Sequence, residues 1–143
     1  MSYKIIPKMQ KAVFSIINYQ FDRVQIDLNN HKNNDLVIGF KPQGLYNAEN
    51  STFELQFVVN VLNKEVEIPF VEISCKGNFK FENVSSFEEI PEFFYRNSIA
   101  ILFPYVRAYL SLVTTQANVP GIILPTYNLT SLENDLRANT KTK

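Results

Sequence analysis

The chain has almost none of the residues from which active sites are commonly built. Histidine occurs once, at His31, cysteine once, at Cys75, tryptophan not at all, and glycine at only 4 positions, 39, 44, 77 and 121. A single cysteine excludes an intrachain disulfide and a cysteine-based zinc site. The glycines fall into no GxGxxG or Walker spacing, so no phosphate-cradling loop is encoded. His31 lies in NNHKNND, a run of turn-forming residues, and Cys75 falls on the apolar phase of a strand, where a thiol acts as a small hydrophobe. No nucleophile with a base, no paired carboxylates and no metal-ligand pattern can be traced. The reading is therefore of a protein that is not an enzyme, with no catalytic residue, no metal and no cofactor.

An excess of one charge is also missing. Lys and Arg number 14 and Asp and Glu number 14, which leaves no field to gather nucleic acid or anionic membrane. No apolar core long enough for a signal peptide opens the chain, and no later run reads as a membrane span, so a cytoplasmic protein without membrane insertion is expected. What is abundant is aromatic: 12 Phe and 7 Tyr among 143 residues, more flat apolar surface than a small core requires. Part of it is expected to be exposed for binding. The length suits one domain, residues 1–143, with strands over about 12–81 and helices over about 86–137.

Periodicity supports that division. In FELQFVVNVL, Phe53, Leu55, Phe57, Val59 and Val61 alternate with polar residues, a half-buried strand. In FSIINYQFDRVQIDL the alternation slips after Ile16 and again after Phe21, as bulges in a long twisted strand would produce. EVEIPFVEISCKGNFKF slips beside Pro69, DLVIGFK is a weaker strand closed by Pro42 and Gly44, and LNKE is a short hairpin connection. The sum is a four-stranded antiparallel sheet. SSFEEIPEFFYRN then offers a helix start interrupted by Pro91, and NSIAILFPYVRAYLSLVTTQ reads as a long helix from about Ser98 to Gln116. NVPGIILPTYNL is a connecting loop, Thr130 caps a short last helix, and KTK is a frayed basic end. The long helix is unusual in having apolar residues on two sides: Ile99, Leu102, Phe103, Val106, Leu110 and Val113 form one stripe, and Ile101, Tyr105, Ala108, Tyr109 and Leu112 the other.

ILFPYVRAYLSLVTTQANVPGIILPTYNLTSL, with LFPY and Arg107 in register, resembles the SecB family of bacterial protein-export chaperones over residues of about 12 to 137. The resemblance implies an α+β fold: a four-stranded antiparallel sheet followed by a long helix packed on one face, a connecting loop and a short C-terminal helix. It implies a homo-oligomer, a dimer of dimers, with Ile101, Tyr105, Arg107, Ala108, Tyr109 and Leu112 at the interface and the Arg107 guanidinium meeting an intersubunit acceptor or the helix–sheet rim. It further implies an ATP-independent holdase for unfolded preproteins in an apolar groove. Candidate client-binding residues are Phe40, Phe93, Phe94, Tyr95, Ile122, Ile123, Leu124 and Tyr127. The motor SecA is the implied partner, docking on Asp27 and Glu72. Two departures bear on that partner: Arg23 stands where the family pattern has an acid, and the end RANTKTK is short and basic. They suggest as an alternative a SecB-like chaperone dedicated to an antitoxin or another single partner. A carrier of small apolar ligands ranks last, because nothing polar converges to orient a ligand.

Overall fold

The computed structural model describes residues 13–119, 122–124 and 129–143. Its centre is a sheet of order β1-β4-β3-β2-β5, built from β1 (Val13–Ile26), β2 (Leu36–Asn47), β3 (Thr52–Asn63), β4 (Val71–Glu82) and β5 (Thr140–Thr142). The first four strands pair antiparallel; β5 adds in parallel to the edge of β2. One face is covered by α1 (Glu92–Gln116), and α2 (Thr130–Ala138) leads back to the sheet edge.

The strand periodicity decides which residues meet α1. Tyr46 on β2, Phe53, Leu55, Phe57, Val59 and Val61 on β3, and Val71, Ile73, Cys75, Phe79 and Phe81 on β4 are all buried. They share one side of the pleat because each set is spaced by two residues. The β1–β4 register shifts between Ile16 and Asn18 and between Phe21 and Arg23, so the slips in the sequence are bulges. Each extra residue returns the apolar phase to the α1 side, keeping Phe14, Phe21 and Ile26 packed on the core.

Several boundaries differ from the sequence reading. β2 does not stop at Pro42 but runs to Asn47. The Gly44 N–H points away from β3 and donates to the Asn139 carbonyl at 3.2 Å; Pro42, two residues earlier, shares that outward direction, so its missing N–H removes no bond to β3. Gly44 itself is required, since an added Cβ would stand 2.3 Å from Phe53 Cζ and 2.6 Å from Thr140 Oγ1. The β3–β4 connection is wider than LNKE: β4 begins at Val71, and Val66, Ile68 and Pro69 lie in the turn before it.

The helix also begins earlier than expected, at Glu92 rather than Ser98, with Pro91 as its N-cap. A proline there interrupts nothing, because the first N–H groups of a helix have no intrahelical acceptor. Pro104 consequently lies deep inside α1. Both Pro104 and Ala100, whose carbonyl it leaves unbonded, are exposed, so water can serve that carbonyl. By length and composition α1 could cross a membrane, contrary to the expectation that no run is long enough. A buried core helix passes the same test, and Ile99, Leu102, Val106 and Leu110 are buried against the sheet. Asn118, at φ 61°, ends the helix in a left-handed turn, with Val119 N–H donating to the Thr114 carbonyl. The basic end is β5, not a frayed tail: Lys143 N–H donates to the Tyr46 carbonyl at 2.7 Å.

Candidate functional site

α1 has two flanks, and they face different strands. On one, Tyr105 stacks on Tyr19 with centroids 4.2 Å apart, and Tyr109, one turn on, stacks on Phe21 at 4.0 Å. This flank lies along β1. On the other, Phe103 approaches Phe40 of β2 at 6.1 Å, and Arg107 follows Phe103 by one turn. The residues expected at an oligomer interface are thus divided: Tyr105 and Tyr109 lie toward β1, while Arg107 and Ala108 line a cavity on the β2 side. Tyr105 is 45% and Leu112 54% exposed, and Ile101 packs partly on the core.

The cavity on the β2 flank has a volume of about 430 Å³ and is lined by Phe103, Pro104, Arg107, Ala108, Ser111 and Ile123. A second, of about 290 Å³, is lined by His31, Asn34, Leu36, Ile38, Phe70, Val119, Ile122 and Ile123. Ile123 is 70% exposed and belongs to both; the two chambers form one groove between α1, the start of β2 and the segment after the helix. Thr114 fixes that segment: its buried hydroxyl donates to the Leu110 carbonyl at 2.8 Å and accepts from Ile122 N–H at 3.2 Å. Ile122 and Leu124 are buried, which leaves Ile123 facing outward between them.

The far wall is held by Asn63, a buried residue on β3. Its Oδ1 accepts from Lys32 N–H at 2.7 Å, and its Nδ2 donates to the Asn33 carbonyl at 2.7 Å, to Asn33 Oδ1 at 2.8 Å and to the Asp35 carbonyl at 3.3 Å. NNHKNND is therefore a braced loop that carries His31, whose ring packs on Phe70 at 4.7 Å. The sequence reading gave His31 and Asn63 no part in a site. A single histidine in turn composition carries no signal of its own, and the brace from Asn63 spans 30 residues.

The candidate client residues are distributed unevenly. Phe93 is 51% exposed and Ile123 lies in the groove, but Phe94, Tyr95, Ile122 and Leu124 are buried. Phe94 sits among Phe14, Phe53, Phe79 and Phe81, with centroids 4.7 to 5.4 Å away. Tyr95 lies under Arg137, and burial raises its pKa above the usual tyrosine value. Phe40 is partly buried, stacked on Phe57; Tyr127 lies outside the described residues. Cys75 is buried, and burial, with the nearby Asp22 charge, pushes its thiol up to about 11, as suits an unreactive core thiol.

Asp27 and Glu72 do converge. Both line a cavity of about 210 Å³ with Gln25, Asn30, Ile68 and Pro69. Each already has a partner: Asp27 accepts from Asn29 N–H at 3.0 Å, and Glu72 pairs with Arg23 at 3.2 Å. Elsewhere on that outer face Lys76 lies 3.7 Å from both Asp22 and Glu54. Glu72, Asp22 and Glu54 are thus each beside a cation, whereas Asp27 is held by a backbone N–H. Among the described residues no group of His, Cys, Asp and Glu could hold a metal ion.

A twisted sheet whose four main strands are antiparallel, one face covered by a long helix carrying LFPYVR and a short helix closing the edge, is a SecB-like fold. Among solved structures, a SecB-like chaperone of Mycobacterium tuberculosis, in complex with a peptide from an antitoxin, matches with a TM-score of 0.60 and 16% identity over 80% of this chain and 91% of that one. A protein of unknown function from Streptococcus agalactiae aligns at a TM-score of 0.36 and 16% identity, over 81% of this chain and 98% of that one. In sequence, an uncharacterized protein of Methanocaldococcus jannaschii is 47% identical over 45 residues, 32% of this chain and 29% of that protein's length. No protein-family model matches.

Proposed function

We propose that this chain is an ATP-independent holdase that keeps non-native polypeptide in the groove on either side of Ile123. The observation that supports this most is the groove itself: on a SecB-like fold, two apolar chambers meet at one outward-facing isoleucine. Such a surface suits an extended chain, which places successive side chains in successive chambers and sums weak contacts without sequence specificity. Of the candidate residues, Ile123 forms the client surface of this groove, with Ile122 and Leu124 buried on either side of it and Phe40 reaching it through Phe103; Phe93 and Phe94 pack by Phe14 of β1 at the start of α1, away from it. We place the protein in the cytoplasm, as a homo-oligomer assembled through the β1 flank, where Ile16, Tyr19 and Val24 are exposed beside Tyr105 and Leu112.

A second reading keeps the holding activity and narrows the client to one partner, such as an antitoxin. It is favoured by the pairing of Glu72 with Arg23, which weakens the acidic surface that SecA docking would use, and by the antitoxin peptide held by the Mycobacterium tuberculosis chaperone. The test is mass measurement in solution with an unfolded client, and separately with SecA, without nucleotide. A stable complex with the client supports the proposal; SecA binding would favour export over a dedicated partner. Absence of any client complex contradicts holding in either form.

A further inference from the structure

We infer that β5 and Pro42 guard the β2 edge of the sheet against strand pairing between copies, so that assembly is confined to the β1 flank; the guard does not depend on what the groove holds. The two edges differ in the features that govern such pairing. β1 is 14 residues long, contains neither proline nor lysine, and leaves Ile16, Ile17, Tyr19 and Val24 exposed. β2, at 12 residues, would be as good a template, but from Pro42 to Tyr46 its outward side is closed. In an antiparallel pair every second residue turns its N–H and C=O away from the partner strand. On this stretch of β2 those residues are Pro42, Gly44 and Tyr46. Pro42 has no N–H to offer. The Gly44 N–H donates to the Asn139 carbonyl at 3.2 Å, and the Tyr46 carbonyl accepts from Lys143 N–H at 2.7 Å.

The guard has a seat of its own. Gly44 leaves the space in which Thr140 lies, since a Cβ there would stand 2.6 Å from Thr140 Oγ1, and that hydroxyl donates to the Leu136 carbonyl at 2.6 Å. Leu136 is buried, and α2 is tied to α1 by Arg96 with Glu133 at 3.0 Å and Arg137 with Glu92 at 3.3 Å. β5 does not become a new template in its turn. It is three residues long, and Lys141 on it and Lys143 beside it are exposed. A short strand pairs poorly, and two copies would meet there lysine to lysine. One open edge lets two copies pair through the same surface and close; two open edges would let pairing run on from copy to copy.

The test uses the full chain. Lys141→Pro with Lys143→Pro removes the donors that face β2, since Lys141 pairs with Leu45 and shares the direction of Lys143; Pro42→Val in the same chain restores an outward N–H. In light scattering the wild-type mass should level off as concentration rises. The triple variant should keep growing, to at least about twice the wild-type plateau over a roughly tenfold rise in concentration, with unchanged circular dichroism. In hydrogen exchange its Gly44 amide should lose protection when dilute and regain it as the mass grows, which places the new pairing on the β2 edge. A variant mass that levels off with that of the wild type overturns the inference, as does growth that leaves Gly44 unprotected. If the triple variant loses its circular dichroism signal, Lys143→Pro alone, which removes the single 2.7 Å bond, decides in the same way with a smaller growth in mass.

Discussion

Asn63 shows how a residue remote from a groove can set its shape. Buried on β3, it spends its side chain on the 32–35 loop, and that loop stands against the smaller chamber. Asn63→Leu removes those bonds and leaves the Lys32 N–H and two loop carbonyls to water; we expect a loss of about 2 kcal/mol, read as a lower urea midpoint with unchanged slope, and faster amide exchange at Lys32. Cys75 gives a pH prediction. Its thiol rises from an ordinary 9.0 to about 11 in the folded chain, so the folded state holds the proton more tightly than the unfolded one. The sign follows: the contribution to stability is complete below about pH 9 and is lost as the pH climbs through about 11. Burial raises Tyr46 and Tyr95 in the same direction. Denaturant melts over that range should show a falling stability, and Cys75→Ala should flatten the fall.

At the scale of elements, Pro104 is the most direct test of the helix. It stands mid-helix on the solvent side, where alanine would restore a backbone bond and a better propensity; Pro104→Ala should raise stability by about 2 kcal/mol in urea melts. The elements that were legible are those whose signal is local. The slips after Ile16 and Phe21 were readable as bulges because alternation has a period of two and any break shows. Prolines were harder, because their meaning depends on direction: Pro42 looked like a strand end and Pro91 like a helix break, yet one faces an outer edge and the other begins a helix. β5 was illegible. TKT has no strand pattern, and it is ordered by Gly44, which leaves room for Thr140, and by the β2 edge. The groove was half legible for a similar reason. An apolar run such as GIIL shows that burial is needed but not which isoleucine turns inward; Thr114, holding the Ile122 N–H, decides that from the end of α1.

At the scale of the molecule, the two flanks of α1 divide the labour proposed for it. The β1 flank leaves Ile16, Ile17, Tyr19 and Val24 exposed on an edge strand beside Tyr105 and Leu112, a combination that a monomer seldom leaves uncovered. Leu112→Glu should lower the assembly mass in light scattering while the circular dichroism stays the same; an unchanged mass would remove this flank from the interface. The β2 flank carries the central claim, that the groove at Ile123 holds non-native chains. The measurement that tests it most directly is light scattering from a chemically unfolded client diluted into buffer without nucleotide, with the wild-type protein or with Ile123→Asp. The account predicts that the wild type suppresses aggregation at near-stoichiometric amounts and that Ile123→Asp, equally folded, protects several-fold less. A wild type that leaves aggregation unchanged, or an Ile123→Asp variant that protects as well as the wild type, would contradict it.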